Sequence, residues 1–115
     1  VVEMAERREL IKNNIDSLLL CLVKDQPMYG YQIIKELEDR SQGYFKFKEG
    51  TLYPALHRLE KGGLITGRWQ TLENGQQRKY YTITLRGQEA LVEQTTNWNE
   101  FFNAVNLIIK PQTLP

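Results

Sequence analysis

Residues 50–65 read GTLYPALHRLEKGGLI. At about 100° per residue on a helix, Leu52, Leu56 and Leu59 fall together on one side. The opposite side collects Pro54, His57, Arg58 and Lys61, with Thr51 and Tyr53 at its flanks and Glu60 near Tyr53. Cations, hydrogen-bonding groups and a compact apolar ring are the mixture a helix uses in the major groove of DNA, where it meets base edges, phosphates and thymine methyls. A solvated amphipathic helix is the competing reading, and this helix alone does not separate the two. Glu49-Gly50-Thr51 supplies the start, which puts Pro54 near the first turn, where amides have no helical partner to lose. Gly62-Gly63 ends the helix.

Downstream, the period changes from helical to alternating. Ile65, Gly67 and Trp69 point one way, and Thr66, Arg68 and Gln70 the other. Asn74-Gly75 is a strong hairpin signal. RKYYTITL (78–85) returns as the partner strand, with Tyr81, Ile83 and Leu85 on its apolar face. Tyr80 and Tyr81 read as packing residues. Arg78 and Lys79 sit just past the turn, where a wing reaches phosphates or the minor groove. Charges that merely keep an exposed hairpin soluble are the alternative.

Upstream, residues 6–24 form a helix on the stripe Ile11, Ile15, Leu18 and Leu22, widened by Leu19 and Val23. Asp25-Gln26-Pro27 breaks it. MYGYQIIKELEDR (28–40) is a second helix with Ile33, Ile34 and Leu37 inward, closed by Gly43. YFKFK (44–48) alternates apolar and basic residues, as a short strand or an extended link does. From about Arg86 to Ile109 the period is helical again. Leu91, Trp98 and Val105 recur every seven residues, with Phe101 or Phe102 and Ile108 or Ile109 between them, a narrow seam suited to a second helix. Such a helix extends ~35 Å, longer than a domain of this size covers. The start of the first helix, Leu10, Ile11 and Ile15, is its expected partner across a two-fold axis. Residues 111–115 read as a frayed tail.

This order predicts a mainly α chain with a small β-hairpin (α+β). Residues 1–85 form a winged helix-turn-helix with its N-terminal helix, and residues 86–110 a C-terminal dimerisation helix. At 115 residues, 41% hydrophobic and 25% charged, the chain is a single globular domain. It has neither an apolar run long enough to span a membrane nor a leader-like start, so a cytoplasmic protein is expected. One Cys and one His exclude a zinc site of the usual ligand set, though carboxylate sites stay open. Cys21, among leucines, reads as a buried small hydrophobe, and no cofactor is expected.

The net charge of +1 conceals a basic centre. Residues 46–86 carry eight Lys or Arg against three Asp or Glu, a net of +5, while 1–45 and 87–115 each carry −2. A module that meets a polyanion with one surface has this pattern.

MYGYQIIKELE, GTLYPALHRLEKGGLI and GQQRKYYTITLRG, in this order and spacing, resemble the PadR family of bacterial transcriptional regulators over roughly residues 10–95. The single short C-terminal helix is similar to that of the compact subfamily. The resemblance implies a homodimer that binds double-stranded DNA and represses at a palindromic operator, often relieved by a small molecule. It places recognition-helix contacts on Thr51, Tyr53, His57, Arg58 and Lys61, and wing contacts on Arg78 and Lys79. Some members take planar aromatic effectors at the dimer interface against a tryptophan, and Trp98 stands in a comparable place, with Phe101 and Phe102 nearby. Trp98 as a large residue filling the seam is the other reading.

Two other classes compete. A winged helix that binds protein without DNA needs no basic 46–86 segment. An enzyme is disfavoured because His57 has no sequence-evident nucleophile, and there is no phosphate-cradling glycine loop or metal motif.

Overall fold

A helix expected to begin at Met28 begins two residues later. In the computed structural model, which describes the backbone of residues 2–109 and the side chains of residues 14–109, the order is α1 (Val2–Asp25), β1 (Met28–Tyr29), α2 (Gly30–Arg40), α3 (Glu49–Lys61), β2 (Ile65–Thr71), β3 (Gln77–Ile83) and α4 (Leu85–Ile109). The strand β1 is the addition. Pro27 favours extended chain around it, and Met28 and Tyr29 pair antiparallel with Tyr81 and Tyr80. The expected two-stranded hairpin is therefore a three-stranded sheet in the order β1-β3-β2.

The core lies where α1, α2 and α3 meet this sheet. Leu19, Leu20, Met28, Ile33, Leu52, Leu56, Leu59 and Ile65 are fully buried. The buried side of α1 includes Leu20 and Ile15, with Leu18 only half-buried. In the 44–48 link, Phe47 is buried, Phe45 half-buried and Lys46 and Lys48 exposed. The alternation is as expected, but the link is extended without a strand partner.

Turn chemistry shapes the ends. Asn74-Gly75 makes a three-residue hairpin loop: the Gly75 amide donates to the Leu72 carbonyl at 2.9 Å, and the Leu72 amide to the Gln76 carbonyl at 2.7 Å. Only Gly75 takes a positive φ there, +87°, the pattern of a type I turn followed by a left-handed residue. Pro54 is not in the first turn, because α3 starts at Glu49. Its missing amide leaves the Gly50 carbonyl without its i+4 donor. Gly50 is exposed, so water meets that carbonyl.

Leu85, expected on the apolar face of the last strand, is instead the first residue of α4 and exposed. Thr84 makes this junction. Its amide donates to the Leu64 carbonyl at 3.0 Å, its hydroxyl donates to the Gly63 carbonyl at 2.7 Å, and the same hydroxyl accepts the Gly87 amide at 3.0 Å as a helix N-cap. Gly87 packs directly on the chain at Leu64. A Cβ there would overlap the Leu64 carbonyl oxygen and lie 2.7 Å from Cγ1 of Ile83.

The first half of α4 then returns along α1. Leu91 is buried in the core, the Ser17 hydroxyl donates to the Gln94 side chain, and the Trp98 indole donates to Asn14 Oδ1 at 3.0 Å. This corrects the expected seam in part. Leu91 and Ile15 already lie in the core of the single chain, because α4 folds back on its own α1 before extending. The side chains of Leu10 and Ile11 and residues 111–115 lie outside the described residues. Beyond Trp98, Phe101, Phe102, Leu107, Ile108 and Ile109 are exposed and Val105 is half-buried.

Candidate nucleic-acid interface

The two faces of α3 separate as their spacing predicts. Leu52, Leu56 and Leu59 are within 2% of complete burial, and Thr51, Tyr53, Pro54, His57, Arg58 and Lys61 are all exposed. Tyr53 leans on the start of α2. A Cβ at Gly30 would lie 2.7 Å from Cζ of Tyr53, so the glycine is what lets this ring settle there.

Beside α3 stands the wing, β2 and β3 with their turn. Between them runs a groove of about 450 Å³ lined by Tyr29, Tyr53, Trp69, Arg78, Lys79 and Tyr81 among others. Trp69 follows Ile65 and Gly67 along the inner side of β2. It is 67% exposed because the strand has run past the end of the core.

Several of the expected DNA-facing cations have partners within the chain. Arg58 donates to Asp16 of α1 at 2.6 Å across an exposed pair. The Arg78 guanidinium lies 4.3 Å over the Tyr29 ring, which meets Tyr80 edge-on at 5.4 Å. Lys79 does not point away from the wing. Its ammonium donates to Glu60 Oε1 of α3 at 2.8 Å, while Glu60 Oε2 accepts the Gly67 amide at 3.1 Å. Among the described residues, Lys61, Lys48 and Arg68 form no ion pair.

The hydrogen bond from Lys79 holds the Glu60 carboxyl below its ordinary value of 4.5, and the same bond raises the Lys79 ammonium above 10.5. A depressed folded-state carboxyl contributes stability above its unfolded value and loses it as pH falls through the folded one. A raised ammonium contributes below its unfolded value and loses it as pH rises through the folded one. The pair therefore holds from the acid edge through neutrality into alkali. Carboxyl NMR is expected to show Glu60 titrating below 4.5 and returning toward that value in Lys79→Met. An unmoved titration would refute the contact.

Sequence reasoning assigned no site role to Glu60, Gly67, Gly30, Asp16 or Trp69. One signal was available: a carboxylate in the last turn of α3 opposes the helix dipole and calls for a cationic partner. Among the described residues, no group of three or more His, Cys, Asp or Glu is placed to hold a metal ion, and no helix is long and apolar enough to cross a membrane.

Three helices, a sheet-borne wing and a basic exposed third helix define a winged helix-turn-helix protein of the kind that regulates transcription. The chain belongs to the PadR-like family of transcriptional regulators, which it matches over residues 19–93. It is 35% identical over 104 residues to an uncharacterised protein of Lysinibacillus sphaericus, covering 90% of this chain and 95% of that one. Among solved structures, it is similar to a PadR family transcriptional regulator from Eggerthella lenta, with a TM-score of 0.80 and 28% identity over 96% of this chain and 95% of that one. A PadR-like transcriptional regulator from Bacillus cereus aligns with a TM-score of 0.79 and 29% identity, over 90% and 99%. Membership makes this a regulator of transcription rather than an enzyme.

Proposed function

We propose that the chain is a homodimeric repressor that binds a palindromic DNA operator, with α3 in the major groove and the wing beside it. The observation that carries this reading is the exposed face of α3, which sets His57, Arg58 and Lys61 beside Thr51, Tyr53 and Pro54 over fully buried leucines. In a two-fold dimer the two copies of α3 lie ~34–36 Å apart, one DNA turn. The Arg58–Asp16 pair does not oppose this. An exposed ion pair contributes only ~0–1 kcal/mol, so a guanine edge displaces Asp16 readily. Arg58→Ala is expected to weaken operator binding by ~1–3 kcal/mol and relax preference at one operator position.

The test is selection of bound sequences from random duplexes, followed by titration of the selected site against a scrambled one at moderate salt. Equal binding of both would sink the reading and return the fold to a protein-binding scaffold. A planar aromatic effector taken up beside Trp98 belongs to the same proposal. In a Trp69→Phe background such a compound quenches Trp98 and lowers operator affinity. Unquenched emission and unchanged affinity leave Trp98 as packing against Asn14 and Phe102.

A further inference from the structure

We propose that Glu60 is a positioning residue for DNA recognition: it ties the wing to α3 through Lys79 and the Gly67 amide, so that Lys79 holds the wing in place and does not contact phosphate. The proposal rests on the DNA-binding reading above.

Three features of the molecule converge on this. The first is the doubled contact. One carboxylate oxygen takes the Lys79 ammonium at 2.8 Å and the other the Gly67 amide at 3.1 Å, so Glu60 grips both strands of the wing at once. Either contact alone would leave the carboxylate free to swing.

The second is the bare strand at the crossing point. Lys79 pairs with Trp69 and Tyr81 with Gly67, so Lys79 reaches Glu60 diagonally across the backbone of Gly67. A Cβ at Gly67 would stand 3.1 Å from Glu60 Oε2 and 3.2 Å from Cδ of Lys79, and still closer to Cε. With φ outside the positive range, Gly67 is not needed for its backbone conformation. Its lack of a side chain lets the lysine stem lie across the strand.

The third is charge placement. Glu60 puts a negative charge in the last turn of the helix that approaches the DNA, opposed both by the helix dipole and by the phosphates. Lys79 neutralises it where it stands. Only half of the expected wing pair then remains for the phosphates, namely Arg78, whose guanidinium is braced on Tyr29 rather than held by a carboxylate.

A pair about 30% exposed on each side adds little to the stability of the fold. Its larger effect is on the angle between two elements that must meet one duplex together, which separates a positioning role from a merely structural one. The test measures operator and scrambled-duplex affinity across a salt series for the unaltered chain, Glu60→Gln, Lys79→Met and the double variant, with melting temperatures as the check on folding. Glu60→Gln and Lys79→Met are each expected to melt close to the unaltered chain. Each should reduce the ratio of operator to scrambled affinity ~10-fold, about the effect of one lost base-pair contact. The double variant should lose no more than either single, since both break the same tie. Lys79→Met should leave the salt slope for scrambled DNA unchanged.

A slope flattened by about one unit in Lys79→Met, with discrimination intact in Glu60→Gln, makes Lys79 a phosphate contact and overturns the proposal. Additive losses in the double variant overturn it as well. If either single variant unfolds, Glu60→Asp decides, since it keeps the charge on a side chain one carbon too short to reach both Lys79 and the Gly67 amide: lost discrimination supports the tie, and intact discrimination refutes it. Failure of the unaltered chain to prefer its selected operator is a separate outcome, which removes the DNA-binding reading itself.

Discussion

Removal of residues 99–115 is expected to leave a folded monomer whose affinity for a palindromic operator is ~100–10,000-fold lower, the loss that follows when two linked binding events become one. The first half of α4 belongs to the protomer. Leu91 is buried in the core, and Gln94 and Trp98 are hydrogen-bonded to Ser17 and Asn14 of α1. The second half has no such cover among the described residues. Phe101 is 64% exposed, Phe102 51%, Ile108 84% and Ile109 68%, and at about 100° per residue these four fall on one side of α4. An apolar stripe of this kind is the surface the proposed dimer would cover, and an obligate dimer buries ~2,000 Å² or more. A cut after Trp98 therefore removes the proposed dimer surface and spares the core. A cut after Gly87 removes Leu91 as well and is expected to unfold the chain. Sedimentation velocity of the 1–98 chain, with a titration of one half-site and of the full palindrome, checks the prediction. A stable 1–98 dimer would place the interface elsewhere.

Gly87→Ala is expected to destabilise the fold by about 3 kcal/mol or more, at the upper end of what overpacking causes. The added carbon meets the Leu64 carbonyl, a backbone atom fixed at the start of β2, and the neighbouring Ile83 side chain. Neither can yield without moving α4. The same shift draws the Gly87 amide off the Thr84 hydroxyl and loosens the hydroxyl from the Gly63 carbonyl, so a helix cap worth ~1 kcal/mol is lost with the packing. Urea denaturation at fixed protein concentration measures the loss, since the stability of the proposed dimer would depend on concentration. A midpoint close to that of the unaltered chain would show that α4 sits farther from Leu64 than the geometry requires.

The helices, the wing and the exposed face of α3 were legible because their signals are local. A 3.6-residue period in 49–61 and a 2-residue period in 65–71 point side chains in directions set by the backbone of the same segment. Asn74-Gly75 likewise acts through its own φ. The strand at Met28 escaped the same treatment. Two residues carry no period, and only the distant Tyr80 and Tyr81 make them a strand. The seam of α4 was half legible for a related reason. Heptad spacing identifies a face meant for another helix, but Leu91 and Trp98 meet α1 of their own chain, and a spacing does not say whose helix will cover it.

At the candidate interface the division is between residue type and residue engagement. Which side chains stand on the outer face of α3 follows from their order in the chain. Whether those charges are available for DNA is a tertiary matter: Arg58 meets Asp16, 42 positions away, and Lys79 meets Glu60, 19 positions away. An ion pair acts over a few ångströms of space with no regard for separation along the chain, so only the folded arrangement of α1, α3 and the wing could assign Lys79 to Glu60.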